Sequence, residues 1–386
     1  MTLTSDYDVS FLTGTRADFG KLKSLILAAR DSEGISCSIF ATGMHMLSRY
    51  GRTVKEVESL GPGIDVHAFI NQGQGEPSEM VLANTILGLS RYLQEHNVDL
   101  LVVHGDRPEA LAGAITGALR NILVAHVEGG EVSGTIDGVI RHAITKLAHV
   151  HLVANEQARD RLLQLGEARD SIFVIGSPDL DLMRSEDLPN LNEALSRYQI
   201  DFDEYGIVVF HPVTFDADHM GNYADALIDA LLDRNDNWVV IFPNNDPGSQ
   251  LIIDQYERLR DVSRFRVFPS LRFEYFLTLL RHARCVVGNS SAGVREAPAY
   301  GVPSVDIGDR QRDRSPEGSV IHVGYSRDDI AAAIDEAMSQ GRKAPEMLFG
   351  DGASSARFAE LLGSDLLSKI PRDKRFNDVV LSAFPR

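Results

Sequence analysis

Ala125-His126-Val127-Glu128-Gly129-Gly130-Glu131-Val132-Ser133-Gly134-Thr135-Ile136-Asp137-Gly138-Val139-Ile140-Arg141-His142 is the stretch whose reading decides the fold. It leaves an apolar run, 122–127, with the composition of a buried strand. Two adjacent glycines turn the chain, and a segment of helical periodicity follows, carrying Asp137, Arg141 and His142. Strand, glycine turn and helix in that order are half of a βαβ unit, which implies a parallel sheet. Acids, an arginine and an imidazole thus converge where a parallel strand ends. In open α/β sheets that edge is where ligands bind.

Working outward, the same alternation fills the chain. Apolar runs at 7–13, 35–41, 64–70, 98–104, 122–127, 150–154 and 172–175 read as strands. Helical periodicity at 20–30, 78–94, 108–119 and 156–165 separates most of them. The polar, turn-rich stretch beginning Ser185-Glu186-Asp187-Leu188-Pro189-Asn190 breaks the pattern. A second alternation then predicts strands at 205–210, 238–243, 265–269, 285–288 and 303–307, with helices at 223–232, 251–259, 274–281 and 294–300. The expected architecture is α/β: two Rossmann-like, doubly wound domains facing a central cleft. The first spans 1–184 and carries the carboxylates; 185–204 is a linker and 205–354 the second domain. The tail, 355–386, is expected to pack back on the first domain through a helix.

Composition narrows the function classes. With 386 residues, 44% hydrophobic and 24% charged, the chain is long enough for two cores and shows no disordered bias. A net charge of -17 argues against nucleic acid or an anionic membrane surface as partner. Cys37 and Cys285 both sit in apolar strand-like runs, which fits buried thiols in a reducing compartment rather than a disulfide or nucleophile. No apolar run is long enough to span a bilayer, and a cytoplasmic location is expected. No Cys, His or carboxylate spacing resembles a metal site, so neither metal nor cofactor is expected.

Each strand end carries chemistry. Thr13-Gly14-Thr15-Arg16-Ala17-Asp18-Phe19-Gly20-Lys21 leads into a helix, whose N-terminal amides suit a phosphate, with Arg16 and Lys21 beside them. A plain strand-to-helix turn with a surface arginine fits that pattern equally well. His104-Gly105-Asp106-Arg107-Pro108 places Asp106 and Arg107 at the same edge as Glu128 and Glu131, one strand away. Asp106 could instead be a helix cap. Paired carboxylates in one cleft can hold separated pKa values and so divide acid and base work. His104 and His126 read as core histidines. In the second half, His211 ends a strand stopped by Pro212, and Asn244 follows the next. Phe268-Pro269-Ser270 then offers an apolar slot suited to a planar base. Gly288-Asn289-Ser290-Ser291-Ala292-Gly293-Val294-Arg295-Glu296 is the strongest phosphate feature: Ser290, Ser291 and Gly293 supply donors, and Glu296 can accept from a ribose diol.

Taken together, Thr13–Lys23, His104-Gly-Asp-Arg, His126-Val-Glu-Gly-Gly-Glu, Ile140-Arg-His, Gly176-Ser-Pro-Asp, His211-Pro-Val-Thr and Gly288-Asn-Ser-Ser-Ala-Gly resemble the hydrolysing UDP-N-acetylglucosamine 2-epimerases. The match runs in order over nearly the whole chain. It implies a glycosyltransferase-B-like fold, a UDP-sugar substrate, conversion of UDP-N-acetylglucosamine to N-acetylmannosamine and UDP for sialic acid synthesis, and a homodimer or homotetramer. It also implies Asp106 and Glu128 in proton transfer, with Asp137, Arg141 and His211 around the sugar and diphosphate. Arg16, Ser290 and Ser291 fall on diphosphate positions and Glu296 on the ribose position. Many hydrolysing members carry a second acid after Asp137; this chain has Gly138. Four alternatives stay open: the same reaction on UDP-N,N'-diacetylbacillosamine, a non-hydrolysing epimerase that returns UDP to the glycal, a glycosyltransferase on the same scaffold, and a catalytically silent UDP-sugar sensor.

Overall fold

The computed structural model describes residues 7–312, 314, 318 and 320–378. The outermost parts of the expected first domain and tail, 1–6 and 379–386, lie outside the described residues. Two all-parallel sheets organise the chain. The first has seven strands: β1 (Tyr7–Thr13), β2 (Ile35–Ala41), β3 (Ile64–Ala68), β4 (Leu100–His104), β5 (Leu123–Val127), β6 (Val150–Val153) and β7 (Ile172–Val174), in the order β3-β2-β1-β4-β5-β6-β7. The second has six: β8 (Gly206–Val209), β9 (Trp238–Ile241), β10 (Phe265–Phe268), β11 (Val286–Gly288), β12 (Ser304–Ile307) and β13 (Val320–Val323), in the order β10-β9-β8-β11-β12-β13. The sixth strand, β13, was not among the sequence expectations. Strand order reverses between β1 and β4 in the first sheet and between β8 and β11 in the second. A crevice opens beyond the carboxyl ends of strands at such a point.

Strands read as near-continuous apolar runs because both faces of each sheet are covered. On one face of the first sheet, Phe11, Ile39, Val102 and Ala125 meet Leu22, Leu25 and Ile26 of helix Arg16–Arg30. Phe358, Leu361, Leu362 and Leu367, from the two helices Ser354–Leu362 and Leu366–Lys369, complete this same core. Within the stretch expected to be linker, Leu191–Tyr198 is a helix closed by a capping box at Asn190 and Glu193. Its Ala194 packs with Ile207, Val239 and Leu279 of the second half. A separate apolar cluster joins the halves: Ala154, Leu180 and Met183 from one meet Phe273, Leu277 and Ala299 from the other, with Phe349. No helix among the described residues is long and apolar enough to cross a membrane.

The Phe358 ring is fully buried and meets Phe11 edge-on, with centroids 6.2 Å apart. Phe358→Ala should therefore cost about 3–5 kcal/mol of stability, measured by denaturant unfolding. A loss near zero would mean that the C-terminal helices merely lie on the surface.

Candidate active site

The crevices of the two sheets face one another and form a single cleft of about 270 Å³. On its floor β4 and β5 run in register, His104 opposite Val127, so the residues just beyond them emerge side by side. Glu128 is the first residue past β5 and adopts φ 67°, an uncommon backbone conformation for a glutamate. Such strain, of order 1–3 kcal/mol, persists where the surroundings hold it. They do here: the Glu128 N–H donates to the Leu152 carbonyl at 3.2 Å, and Arg141 Nη1 donates to the Glu128 carbonyl at 2.8 Å. Gly130 follows with φ 76°, and a Cβ there would lie 2.2 Å from the Ala158 carbonyl oxygen, so the turn requires glycine.

The Glu128 side chain is buried among Arg295, Lys21, Arg141 and the His104 ring. Its Oε1 lies 2.9 Å from Arg295 Nη2, 3.2 Å from Lys21 Nζ and 3.3 Å from His104 Nε2. Oε2 is freer, with Arg141 Nη1 at 3.7 Å. Burial alone would push this carboxyl up, but Arg295, Lys21 and His104 outweigh it and hold it well below the usual carboxylate range. Asp106 is more open, its side chain 21% exposed, and pairs with Arg141 Nη2. Arg141 itself is fully buried and so joins the two carboxylates through one guanidinium. Asp137 stands at the start of helix Ile136–Leu147, and Arg310 Nη2 donates to its Oδ2 at 3.0 Å.

The opposite wall comes from the second sheet. Asn289 Oδ1 accepts from the His211 N–H at 2.7 Å and Asn289 Nδ2 donates to the His211 carbonyl at 2.9 Å, fixing the backbone at this strand end. The Asn244 N–H donates to His211 Nδ1 at 3.1 Å, which assigns the ring proton to Nε2. Burial first, then Arg310 and Arg107, keep the imidazole well below its ordinary pKa, so it is a neutral donor. Ser290 Oγ accepts from the Ala292 N–H at 3.3 Å, shaping the turn that presents Ser290 and Ser291 to the cleft. Glu296 Oε1 lies 3.5 Å from Lys21 Nζ, while its buried Oε2 has no hydrogen-bond partner and is free to accept. Burial raises the Glu296 carboxyl despite Lys21.

The two walls are tied across the opening. Arg16 forks onto Glu56, and its Nη1 donates to Ser270 Oγ at 2.6 Å. Arg107 donates to Asp246 at 2.9 Å and to Asn245 Oδ1 at 3.0 Å.

The structure brings Arg16, Lys21, Asp106, Arg107, Glu128 and Asp137 to the cleft from the first half. Arg141 also lines it, as do His211, Asn244, Ser270, Ser290, Ser291 and Glu296. Three expected contacts are corrected. Glu131 lies behind the cleft, both oxygens accepting from Arg295 Nη1 at 2.6 Å and one also from Arg314. Its spacing from Glu128 puts it on the far side of the glycine turn. Phe268 packs edge-on against Tyr198, and Pro269, Leu271 and Phe273 supply the apolar lining instead. The Gly293 N–H is used inside the turn, donating to the Ser290 carbonyl at 3.0 Å, and Gly293 packs against β12, where a Cβ would lie 2.6 Å from Ser304 Oγ. His104, expected in the core, lines the cleft beside Glu128, whereas His126 is a core residue bonded to the Gly105 carbonyl at 2.8 Å. Gly138 has no room for an acid as the backbone stands: a Cβ would lie 2.7 Å from the Ser133 carbonyl oxygen.

Arg295, Arg310, Gln311 and Arg314 were missed as site residues. The last three follow β12, so the rule that ligands gather at strand ends would have found them. Arg295 stood inside a quoted motif, but its reach across to Glu128 is tertiary.

A family model described as UDP-N-acetylglucosamine 2-epimerase matches residues 27–363. A UDP-N-acetylglucosamine 2-epimerase of Neisseria meningitidis is 48% identical over 373 residues, covering 96% of this chain and 98% of that protein. A UDP-N,N'-diacetylbacillosamine 2-epimerase (hydrolyzing) of Legionella pneumophila is 33% identical, covering 92% and 95%. A polysialic acid biosynthesis protein of Escherichia coli is 31% identical, covering 87% and 86%. Among solved structures, UDP-GlcNAc 2-epimerase from Neisseria meningitidis bound to UDP-GlcNAc superposes with a TM-score of 0.77 at 19% identity, covering 92% of this chain and 99% of that one. That likeness bears on the fold, which is glycosyltransferase-B-like. With a family model spanning most of its length and a relative sharing nearly half its residues, the chain belongs to the UDP-N-acetylglucosamine 2-epimerase family.

Proposed function

We propose that this family member is the hydrolysing form, converting UDP-N-acetylglucosamine and water to N-acetylmannosamine and UDP for sialic acid synthesis. The observation that carries the reading is a carboxylate, Glu128, kept ionised among cations while facing a cleft whose other wall is lined with anion donors. The Legionella relative described as hydrolyzing and the polysialic acid relative support it.

In the α-linked substrate the C2 hydrogen lies antiperiplanar to the C1–oxygen bond. C2–H has no adjoining carbonyl and is not acidic at rest. Departure of UDP therefore leads, with positive charge building at C1 and negative charge on the β-phosphate. Preorganised donors at the leaving group are the main electrostatic lever, and Arg16, His211 Nε2, Arg310 and the Ser290–Ser291 turn supply them. Once C1 is cationic the C2 proton is strongly acidic, and a weak but permanently ionised base suffices. Glu128 takes that proton through Oε2. Glu128 releases the abstracted proton to solvent, the more open Asp106 delivers a solvent-derived proton to C2 on the opposite face, and water adds its hydroxyl to C1 while its other proton returns to Asp106. Elimination and hydration involve no net redox change, so no redox cofactor enters. A homodimer or homotetramer, as the resemblance implies, and a cytoplasmic location, as the two buried cysteines suggest, are part of this proposal.

Incubating the purified protein with UDP-N-acetylglucosamine and water alone should release UDP and N-acetylmannosamine, read by ion-exchange chromatography. Accumulation of UDP-N-acetylmannosamine would replace this reading with the non-hydrolysing one, and turnover that requires an acceptor sugar would replace it with a transferase. Turnover confined to UDP-N,N'-diacetylbacillosamine, a reading supported by the Legionella relative, would change the sugar and keep the chemistry.

Glu128→Gln and Asp106→Asn should each lower kcat by about 10²- to 10⁴-fold while UDP still binds, measured by steady-state kinetics and calorimetry. Near-complete retention of kcat in either variant would remove that residue from proton transfer. His211→Ala removes one leaving-group donor and should lower kcat by about 10²- to 10³-fold. A loss appearing in KM alone would instead make His211 a ground-state contact.

A further inference from the structure

We infer that Arg295 is a positioning residue that couples the turn carrying Ser290, Ser291 and Glu296 to Glu128 across the junction of the two halves. The inference rests on the epimerase reading above. Arg295 belongs to the second half, yet its guanidinium is 2% exposed inside the first. Nη1 donates to both Glu131 oxygens at 2.6 Å, and Nη2 donates to Ser177 Oγ and lies 2.9 Å from Glu128 Oε1. Nε lies 3.7 Å from Asp179 Oδ2, and the guanidinium plane sits 4.5 Å from the Phe349 ring centroid.

Its neighbour in sequence, Glu296, reaches the same place by a second path. Glu296 Oε1 lies 3.5 Å from Lys21 Nζ, and Lys21 lies 3.2 Å from Glu128 Oε1. Two consecutive residues of one short turn thus act on one carboxylate, Arg295 directly and Glu296 through Lys21. Glu296 also keeps a buried, unpartnered Oε2 for a ligand. A shift of this turn when nucleotide engages it therefore moves a cation that touches Glu128.

The other groups facing Glu128 belong to the first half. Lys21 comes from helix Arg16–Arg30, His104 from β4 and Arg141 from helix Ile136–Leu147. The acids near this cluster are Asp106, Glu131, Asp179 and Glu296. Among the described cations on Glu128, Arg295 is both the nearest and the one contributed by the second half. Removing it takes a positive charge from a buried carboxylate. The protonated form gains, and half-protonation moves to higher pH.

Arg295→Met alone strands Glu131 and Asp179 and could unfold the protein, so Arg295→Lys and the charge-balanced double variant Arg295→Met/Glu131→Gln are used beside it. In full-length protein labelled with ¹³C at glutamate carboxyls, the Glu128 resonance is identified by its absence in Glu128→Gln. Its titration midpoint should rise in the double variant and rise less in Arg295→Lys. In kinetics, the acid limb of kcat/KM should move up in parallel and kcat should fall about 100-fold in the double variant, the low end for a proton-transfer group, while added UDP should shift the Glu128 midpoint in wild-type protein and no longer do so in the double variant. An unmoved Glu128 midpoint, or a UDP-induced shift of that midpoint that persists without Arg295, would overturn the inference. Wild-type protein that shows the low Glu128 midpoint but no turnover would instead overturn the epimerase reading, because the carboxyl titration does not depend on turnover.

Discussion

One guanidinium buried among carboxylates holds the two halves in register. Arg295 touches Glu128, Glu131 and Asp179 while losing nearly all its water. Ions cost several kcal/mol each to desolvate, and they stay in such a place only when every charge is answered. Lys21, Arg141 and Arg314 join Arg295, four cations facing the five carboxylates Asp106, Glu128, Glu131, Asp179 and Glu296, and Glu296 is the one whose carboxyl burial raises. The cluster lies beside the apolar junction of Leu180, Met183, Phe273 and Phe349, so packing and charge fix the same joint. A residue change here disturbs the geometry of the whole cleft.

From that joint outward, the contacts between the walls become progressively more open to solvent. Arg310 to Asp137, Arg107 to Asp246 and Arg16 to Ser270 are polar and partly exposed, which leaves them exchangeable when a diphosphate arrives. In the proposed reaction a glycal forms, and a buried joint with exchangeable ties at the mouth gives a physical basis for closing over it until water is delivered. On the proposed mechanism, the preorganised donors have little reorganisation left when UDP departs.

Much of this was legible in the sequence because a parallel sheet confines chemistry to one edge. The ends of β1, β4, β5, β8 and β11 could each be located from an apolar run followed by a turn, and Arg16, Asp106, Glu128, His211 and Ser290 lie there. What stayed hidden depends on tertiary reach or on weak local signals. Glu131 is three residues from Glu128, yet the left-handed turn through Gly130 sends it behind the cleft. Phe268 ends β10 facing Tyr198, a choice made by packing in the second half. Helix Leu191–Tyr198 sat inside a polar stretch whose capping residues, Asn190 and Glu193, resemble loop composition. The Arg310–Gln311–Arg314 group, by contrast, follows the legible strand β12 and lies within reach of the same strand-end rule.

The central claim is that UDP leaves by elimination across C1 and C2, with hydration on the opposite face. Proton NMR of the reaction in deuterated water tests it most directly. The account predicts N-acetylmannosamine carrying solvent deuterium at C2 from the first turnover, alongside UDP. Product that keeps both the gluco configuration and the substrate hydrogen at C2 would contradict it, because the C2–H bond would then never have been broken; manno product that retains the substrate hydrogen would contradict delivery of a solvent proton on the opposite face.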